Sequence, residues 1–239
     1  VPRQRQRRMT STSPCGRPDC PVVAPTPHLL NAIRPVVLPA GTRWWRGTTY
    51  PAADLVPGAG DTRFAPLANT AHAYFGGTKT VALLESALHD AAGTQPVIYL
   101  SHVRNWAVHE LELTQSLRLA DLRNPGLERM SLTRSQLVNT TAAHYPCTRR
   151  WAAELQGGTH GLDGIIWHSR QADLYAQIHP HSLLADVVHH VAAEVAVLWS
   201  PPASATPFTH TGASITMVER GEPTRFLEEL AFLVGASFE

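Results

Sequence analysis

Cysteine is scarce in this chain. Cys15, Cys20 and Cys147 are the only three in 239 residues, too few and too unevenly spaced for a disulfide framework. That scarcity fits a reducing compartment, and the cytoplasm is the expected location. Cys15 and Cys20 could supply half of a tetrahedral zinc site, but no second pair stands near them in sequence, so no metal is expected. An excess of one charge is also missing. The formal net charge is +1, and the arginines are dispersed apart from Arg3, Arg5, Arg7 and Arg8, so no direct nucleic-acid binding is expected. Long apolar runs are absent as well. The longest, Leu183 to Trp199, is broken by Asp186, His189, His190 and Glu194 and falls short of the roughly 20 apolar residues that span a bilayer. No apolar segment behind the basic start suggests a secretory signal.

Several catalytic signatures are missing too. No G-x-G-x-x-G follows a strand, which excludes a dinucleotide held as a cofactor on a Rossmann domain. There is neither an H-E-x-x-H nor a G-x-S-x-G. Thirteen histidines invite a metal, yet His189 and His190 are adjacent and diverge on a helix, and His179 and His181 flank a proline without a carboxylate at ligand spacing. No internal repeat is visible.

What is present reads as one domain with extensions. Residues 1–27, rich in Pro, Ser, Thr and Arg, are expected to form a disordered tail, and 28–239 the domain. Thr26 should cap a short helix containing Leu29, Leu30 and Ile33, stopped by Pro35. Strands are expected at Arg43–Gly47 and Ala73–Phe75. Gly76 and Gly77 then lead to a helix capped by Thr78 or Thr80, with Val81, Leu84, Glu85 and Leu88 on one face. Further strands should lie at Val97–Leu100, Val108–Leu113 and Leu117–Leu122, the last closed by N-P-G. Helices are expected over Thr133–Asn139 and Pro146–Gln156, and Gly164–Ser169 reads as a buried strand delivering Ser169 and Arg170 at its end. The C-terminal part should hold a helix from Ser182, a strand near Ile215–Val218 and a helix over Pro223–Val234.

The most informative stretch runs from Arg46 to Glu85. Arg46 sits in W-W-R-G, Arg63 in G-A-G-D-T-R-F-A-P, and Tyr74 and Glu85 follow at equal steps. The order Arg46, Arg63, Tyr74, Glu85 and then G-I-I-W-H-S-R resembles the RES family, which takes its name from an arginine, a glutamate and a serine. The resemblance covers about Thr42 to Gln171. It implies an α+β, ADP-ribosyltransferase-like RES fold, with a mixed or antiparallel sheet flanked by helices in a single domain. It also implies action on NAD as substrate, releasing nicotinamide by phosphorolysis, hydrolysis or ADP-ribosyl transfer, and a toxin paired with a helical Xre-type antitoxin. A catalytically silent nucleotide- or protein-binding module is the rival of another class. Homo-oligomerisation and the use of phosphate as co-substrate are left open.

The residue chemistry agrees with that implication. Guanidinium forks match phosphate oxygens, so Arg46, with Gly47 beside it, and Arg63 suit a pyrophosphate or free phosphate. Their bland alternative is a surface ion pair. Breaking a glycosidic bond passes through an oxocarbenium-like transition state, which an ionised carboxylate stabilises. Glu85 takes that role here unless it merely neutralises Lys79. Tyr74 could lay its ring on the nicotinamide or a ribose while its hydroxyl finds a polar partner, or be ordinary core. Ser169 would donate a hydrogen bond to NAD rather than act as nucleophile, since His168 should point to the opposite face. Tyr145 is the other candidate to complete the site.

Overall fold

The apolar, β-branched segments of the chain pair into one eight-stranded sheet. The computed structural model describes residues 13–49, 62–65, 67, 70–89, 97–173, 193–200 and 207–239. The strands are β1 (Pro35–Leu38), β2 (Arg43–Thr48), β3 (Ala71–Gly76), β4 (Val97–Ile98), β5 (Ala107–Leu113), β6 (Leu117–Asp121), β7 (Gly164–His168), β8 (Glu194–Ser200), β9 (Phe208–Thr216), β10 (Val218–Glu219), β11 (Glu222–Pro223) and β12 (Ser237–Phe238). The large sheet has the order β1-β6-β7-β8-β3-β2-β5-β9. Its pairs are antiparallel except β6 with β7. This mixed sheet, flanked by helices, is the α+β architecture expected from the sequence.

The helices are α1 (Pro27–Ala32), α2 (Lys79–Leu84), α3 (Leu100–Val103), α4 (Asn124–Arg129), α5 (Tyr145–Gly157) and α6 (Arg225–Val234). Local chemistry explains their ends. The Thr26 and Thr78 hydroxyls accept the backbone N–H of Leu29 and Val81, as N-caps do. Gly235 ends α6 in the left-handed region at φ 66°, a conformation that costs glycine little. Alternation along the strands sends Trp44, Phe75, Leu111, Ile166 and Leu198 into one apolar cluster. Ile165, Trp167, Val195 and Val197 join α2, α5 and α6 residues in the larger core.

Several expectations change. Val97–Leu100 is only a two-residue strand, paired parallel with β12, and Leu100 starts α3. N-P-G opens α4 instead of closing β6, because proline at the first helical turn loses no hydrogen bond. Thr133–Asn139 forms only a 3₁₀ turn at Arg134–Gln136, with a Thr133–Gln136 capping box. Strands β1 and β8 were not expected. β8 belonged to the broken apolar run, and its two faces enter the two apolar clusters, Val195 and Val197 one and Ala196 and Leu198 the other, so it lacks clean alternation. The expected helix from Ser182 and the His179, His181, His189 and His190 group lie outside the described residues. Of residues 13–26, expected within a disordered tail, Val22 is buried and Val23 is tied to the rest of the chain. The Val23 N–H donates to Gln136 O, and Trp151 Nε1 donates to Val23 O at 2.6 Å. Among the described residues no helix is long and apolar enough to cross a membrane.

An ion-pair cluster ties β6 to β8 across the end of β7. Arg123 Nε donates to Asp121 Oδ1 at 2.8 Å, and Arg123 Nη1 donates to Glu194 Oε1. Burial would raise the Asp121 carboxyl, but the Arg123 hydrogen bonds and charge outweigh it and hold it below the ordinary value. Truncating Arg123 leaves two buried carboxylates without their shared cation. Arg123→Ala should therefore cost about 2–3 kcal/mol, seen as a lower urea midpoint with an unchanged slope. A midpoint equal to that of the parent chain would show the cluster to be solvated ornament.

Candidate active site

Strands β2 and β3 share a single registered pair, Trp45 with Gly76. On their outer sides β2 pairs with β5 from Arg43 to Thr48, and β3 with β8 from Ala71 to Gly76. Beyond Trp45 and Gly76 the two strands part. A cleft of about 340 Å³ opens between them, lined by Arg46 and Gly47 from β2 and by His72 and Tyr74 from β3. That volume suits a small-molecule ligand.

Helix α2 closes one side, and two glycines let it approach. A Cβ on Gly47 would stand 2.2 Å from Ser86 Oγ and 3.2 Å from Ala82 O, and one on Gly76 would stand 2.4 Å from Ala82 N. The missing side chains thus permit backbone-level packing of α2 on the split sheet. Gly47, expected to bind ligand, lines the cleft and sets this approach. Helix α2 is shorter than its apolar pattern suggests. Glu85 is its C-cap, at φ −90° and ψ 3°, and the Ser86 hydroxyl donates back to Ala82 O at 2.5 Å. Such a bond competes with helix propagation.

The end of α2 carries the acid into the cleft, where Glu85 and Ser86 are both part of the wall. Ser169 Oγ donates to Glu85 Oε1 at 2.5 Å, and the Gln171 N–H approaches the same oxygen at 3.5 Å. Ser169 Oγ also accepts the Ala172 N–H at 3.0 Å, capping the helical turn that begins at Arg170. The Glu85 carboxylate therefore rests against the positive start of that turn. Ser169 itself is fully buried at 0% exposure. Its hydroxyl is engaged with Glu85, and Ser169 is not among the residues that line the cleft. Lys79 does not neutralise Glu85 but lies over the Phe226 ring at 4.7 Å.

Both arginines are buried and face the cleft. Arg46 is registered with His109. Burial, then the Arg46 charge, lowers the His72 pKa below its ordinary value. The His109 pKa falls for the same two reasons, with His210 adding to them ahead of Arg46. Arg63 Nη1 donates to Thr140 O at 2.9 Å and to Thr140 Oγ1 at 2.8 Å. Burial lowers its pKa, while Tyr145, Glu85 and Tyr74 oppose that shift. The Gly58–Asp61 approach to Arg63 lies outside the described residues.

Tyr74 does two jobs. Its ring meets Trp167 edge-on at 5.9 Å and forms cleft wall. Its hydroxyl shares a hydrogen bond with Thr62 Oγ1 at 2.7 Å and accepts the Phe64 N–H at 3.1 Å. Those two residues flank Arg63, so Tyr74 clamps the turn that presents the guanidinium. Burial pushes the Tyr74 phenol up to about 12. Tyr145, weighed against Ser169 in the sequence, has a separate place. It opens α5 and lines the cleft, with the Arg63 guanidinium carbon 5.3 Å from its ring centroid.

The sequence reading missed His72, His89, Trp106 and Trp167 in the lining. Trp167 was legible within G-I-I-W-H, since it alternates with Ile166 and must face the other side of the strand. Trp106 and His89 carry no local signal, because one sits just before β5 and the other at the end of the turns that follow α2. Together the cleft offers guanidinium groups, aromatic walls and one braced carboxylate. That set can hold an anionic group beside a planar ring and stabilise positive charge growing near the acid.

A sequence model described as the RES domain matches residues 38–209. No curated protein matches the chain. Among solved structures, the chain is similar to one from the crystal structure of the M. tuberculosis MbcT–MbcA toxin–antitoxin complex. The TM-score is 0.53 at 12% sequence identity, covering 86% of this chain and 98% of the other. At that identity the likeness concerns the fold.

The tight seat of α2 is testable without any ligand. Gly47→Ala should destabilise the protein by about 1–3 kcal/mol, as overpacking does. Adding Ser86→Ala removes the nearest clashing atom and should recover part of the loss. Equal melting temperatures for Gly47→Ala and the parent chain would refute the close approach.

Proposed function

The chain belongs to the RES domain family, and from that footing we propose that it consumes NAD by breaking the nicotinamide–ribose bond, as the toxin of a toxin–antitoxin pair. The observation that carries this reading is the Glu85 carboxylate, braced by Ser169 inside the cleft that Arg46 and Arg63 also line. In the proposed complex the arginines bind the pyrophosphate, and Tyr74, Tyr145 and Trp106 offer surfaces for the nicotinamide and riboses. Glu85 stands beside the anomeric carbon. As the C–N bond breaks, nicotinamide leaves with the electron pair and positive charge spreads over the sugar, which the carboxylate stabilises. Phosphate or water then attacks the same carbon from the open face. Ser169 and the Gln171 N–H keep the acid in place, so little reorganisation is needed at the moment of reaction.

The toxin part draws on the fold shared with a chain from a toxin–antitoxin complex. A helical Xre-type antitoxin that covers the cleft is the partner proposed. ADP-ribosyl transfer to a macromolecule uses the same bond cleavage and differs only in what attacks.

Incubating the purified chain with NAD, with and without phosphate, tests the reading. Phosphate-dependent nicotinamide release indicates a phosphorylase, release without phosphate a glycohydrolase, and label on a protein a transferase. NAD binding without any release would sink all three and leave a silent binding module. Glu85→Gln should lower turnover by about 10²–10³-fold, the usual effect of losing one charge-stabilising group, with an unchanged melting temperature. Ser169→Ala should cost about 10²-fold in kcat with little change in KM, because it displaces the acid without touching the ligand. A pure KM effect from Ser169→Ala would show that the serine contacts substrate after all.

A further inference from the structure

All three cysteines of the chain meet at one point away from the cleft. Cys15 and Cys20 come from the N-terminal segment and Cys147 from the first turn of α5. Their sulfur atoms all lie within 4.8 Å of one another, with Cys20 Sγ 3.5 Å from Cys147 Sγ. Next to this trio, His144 Nδ1 lies 3.6 Å from Cys15 Sγ, outside the set of atoms that are all within 4.8 Å of one another.

We propose that the thiols of Cys15, Cys20 and Cys147 form a structural zinc site, with His144 turning in from beside Cys15 as the fourth ligand, that staples the N-terminal segment to the start of α5. A tetrahedron with Zn–S near 2.3 Å and Zn–N near 2.0–2.1 Å has S···S edges of about 3.8 Å and S···N edges of about 3.6 Å. The Cys20–Cys147 and Cys15–His144 separations of 3.5 and 3.6 Å are close to two of those six edges, and the three thiols lie within 4.8 Å of one another, so the remaining closure falls to a rotation of the His144 ring. Ligand spacing agrees as well. Cys15 and Cys20 enclose four residues, within the usual range for a pair of zinc cysteines. His144, the N-cap of α5, and Cys147 are three apart and share a helix face.

The approach of the chain is built for this. Gly16 takes φ 68°, and its N–H donates to Ser13 O at 2.7 Å, closing the turn that presents Cys15. The Ser13 hydroxyl lies 3.2 Å from Cys15 Sγ, a polar neighbour of the kind that orients a metal ligand. A disulfide between two of the thiols would leave the third thiol unexplained, whereas one metal ion takes all three and draws His144 in as the fourth donor. Four protein ligands close the coordination shell, which marks a structural rather than a catalytic zinc.

The site bears on the cleft through one residue. Tyr145 lies between His144 and Cys147 in sequence and forms the cleft wall beside Arg63. Zinc would hold that turn of α5 in place while Trp151, one turn further on, grips Val23 O. The sequence count of cysteines missed this, because the second half of the site lies 127 residues away.

Elemental analysis of the full chain, purified with reductant and without added chelator, should find one zinc per chain. Cobalt loaded in its place should give the intense visible bands of a tetrahedral, thiolate-rich centre. Cys15→Ser and His144→Ala, both at partly exposed positions, should each weaken binding by more than about tenfold, and Glu85→Gln should leave it unchanged. A strong chelator should lower the melting temperature of the parent chain but not that of Cys15→Ser. Absent or substoichiometric metal overturns the proposal. So does an octahedral cobalt spectrum, or undiminished affinity in both variants. Should Cys147→Ser fail to fold, the Cys15 and His144 variants decide the question.

Discussion

The close seating of α2 on a sheet that splits between β2 and β3 is the constraint from which the rest of the site follows. Two strands joined by one registered pair would ordinarily leave backbone groups exposed and apolar side chains unpacked. Here α2 covers the split at backbone distance, because neither Gly47 nor Gly76 has a side chain to hold it off. The same helix ends at Glu85, so the geometry that covers the opening also delivers the acid into it. Widening the gap by a single methyl group would move the carboxylate together with the helix.

The acid and the Arg63 guanidinium are each held by other side chains. Ser169 and the start of the turn after it hold Glu85. Tyr74 holds the two residues on either side of Arg63, and Thr140 takes part of its guanidinium. Buried charges are costly unless hydrogen-bonded, and these partners make the arrangement tolerable while keeping the groups aimed at the cleft. Rigid support of this kind matters more for chemistry than for affinity, since a displaced acid loses its hold on transient charge.

The outer framework is braced at two distant points. Arg123 ties the acidic ends of β6 and β8 across β7, next to the strand that presents Ser169. The cysteine and histidine group ties the N-terminal segment to the turn that presents Tyr145. Both braces bind segments far apart in the chain. They act by restricting elements whose ends carry site residues, not by contacting a ligand.

What could be read in the sequence follows from local physics. Threonine caps at Thr26 and Thr78, the strand of Gly164–His168 and the α5 helix are set by short-range spacing, and so they were legible. The ordered run of Arg46, Arg63, Tyr74 and Glu85 identified the cleft residues because each motif is compact. Long-range events were not legible. The strand β8 is buried on both faces and shows no alternation, so its place between β7 and β3 depended on pairing with segments elsewhere in the chain, β3 more than a hundred residues away. The shortening of α2 came from a serine bonding back to the helix, and the burial of Ser169 behind Glu85 came from packing. The sequence by itself determined which chemical groups the protein brings to its site, because side-chain identity is local. Tertiary structure alone decided which of them face the ligand space and which stand behind, because that depends on how closely two backbones can approach.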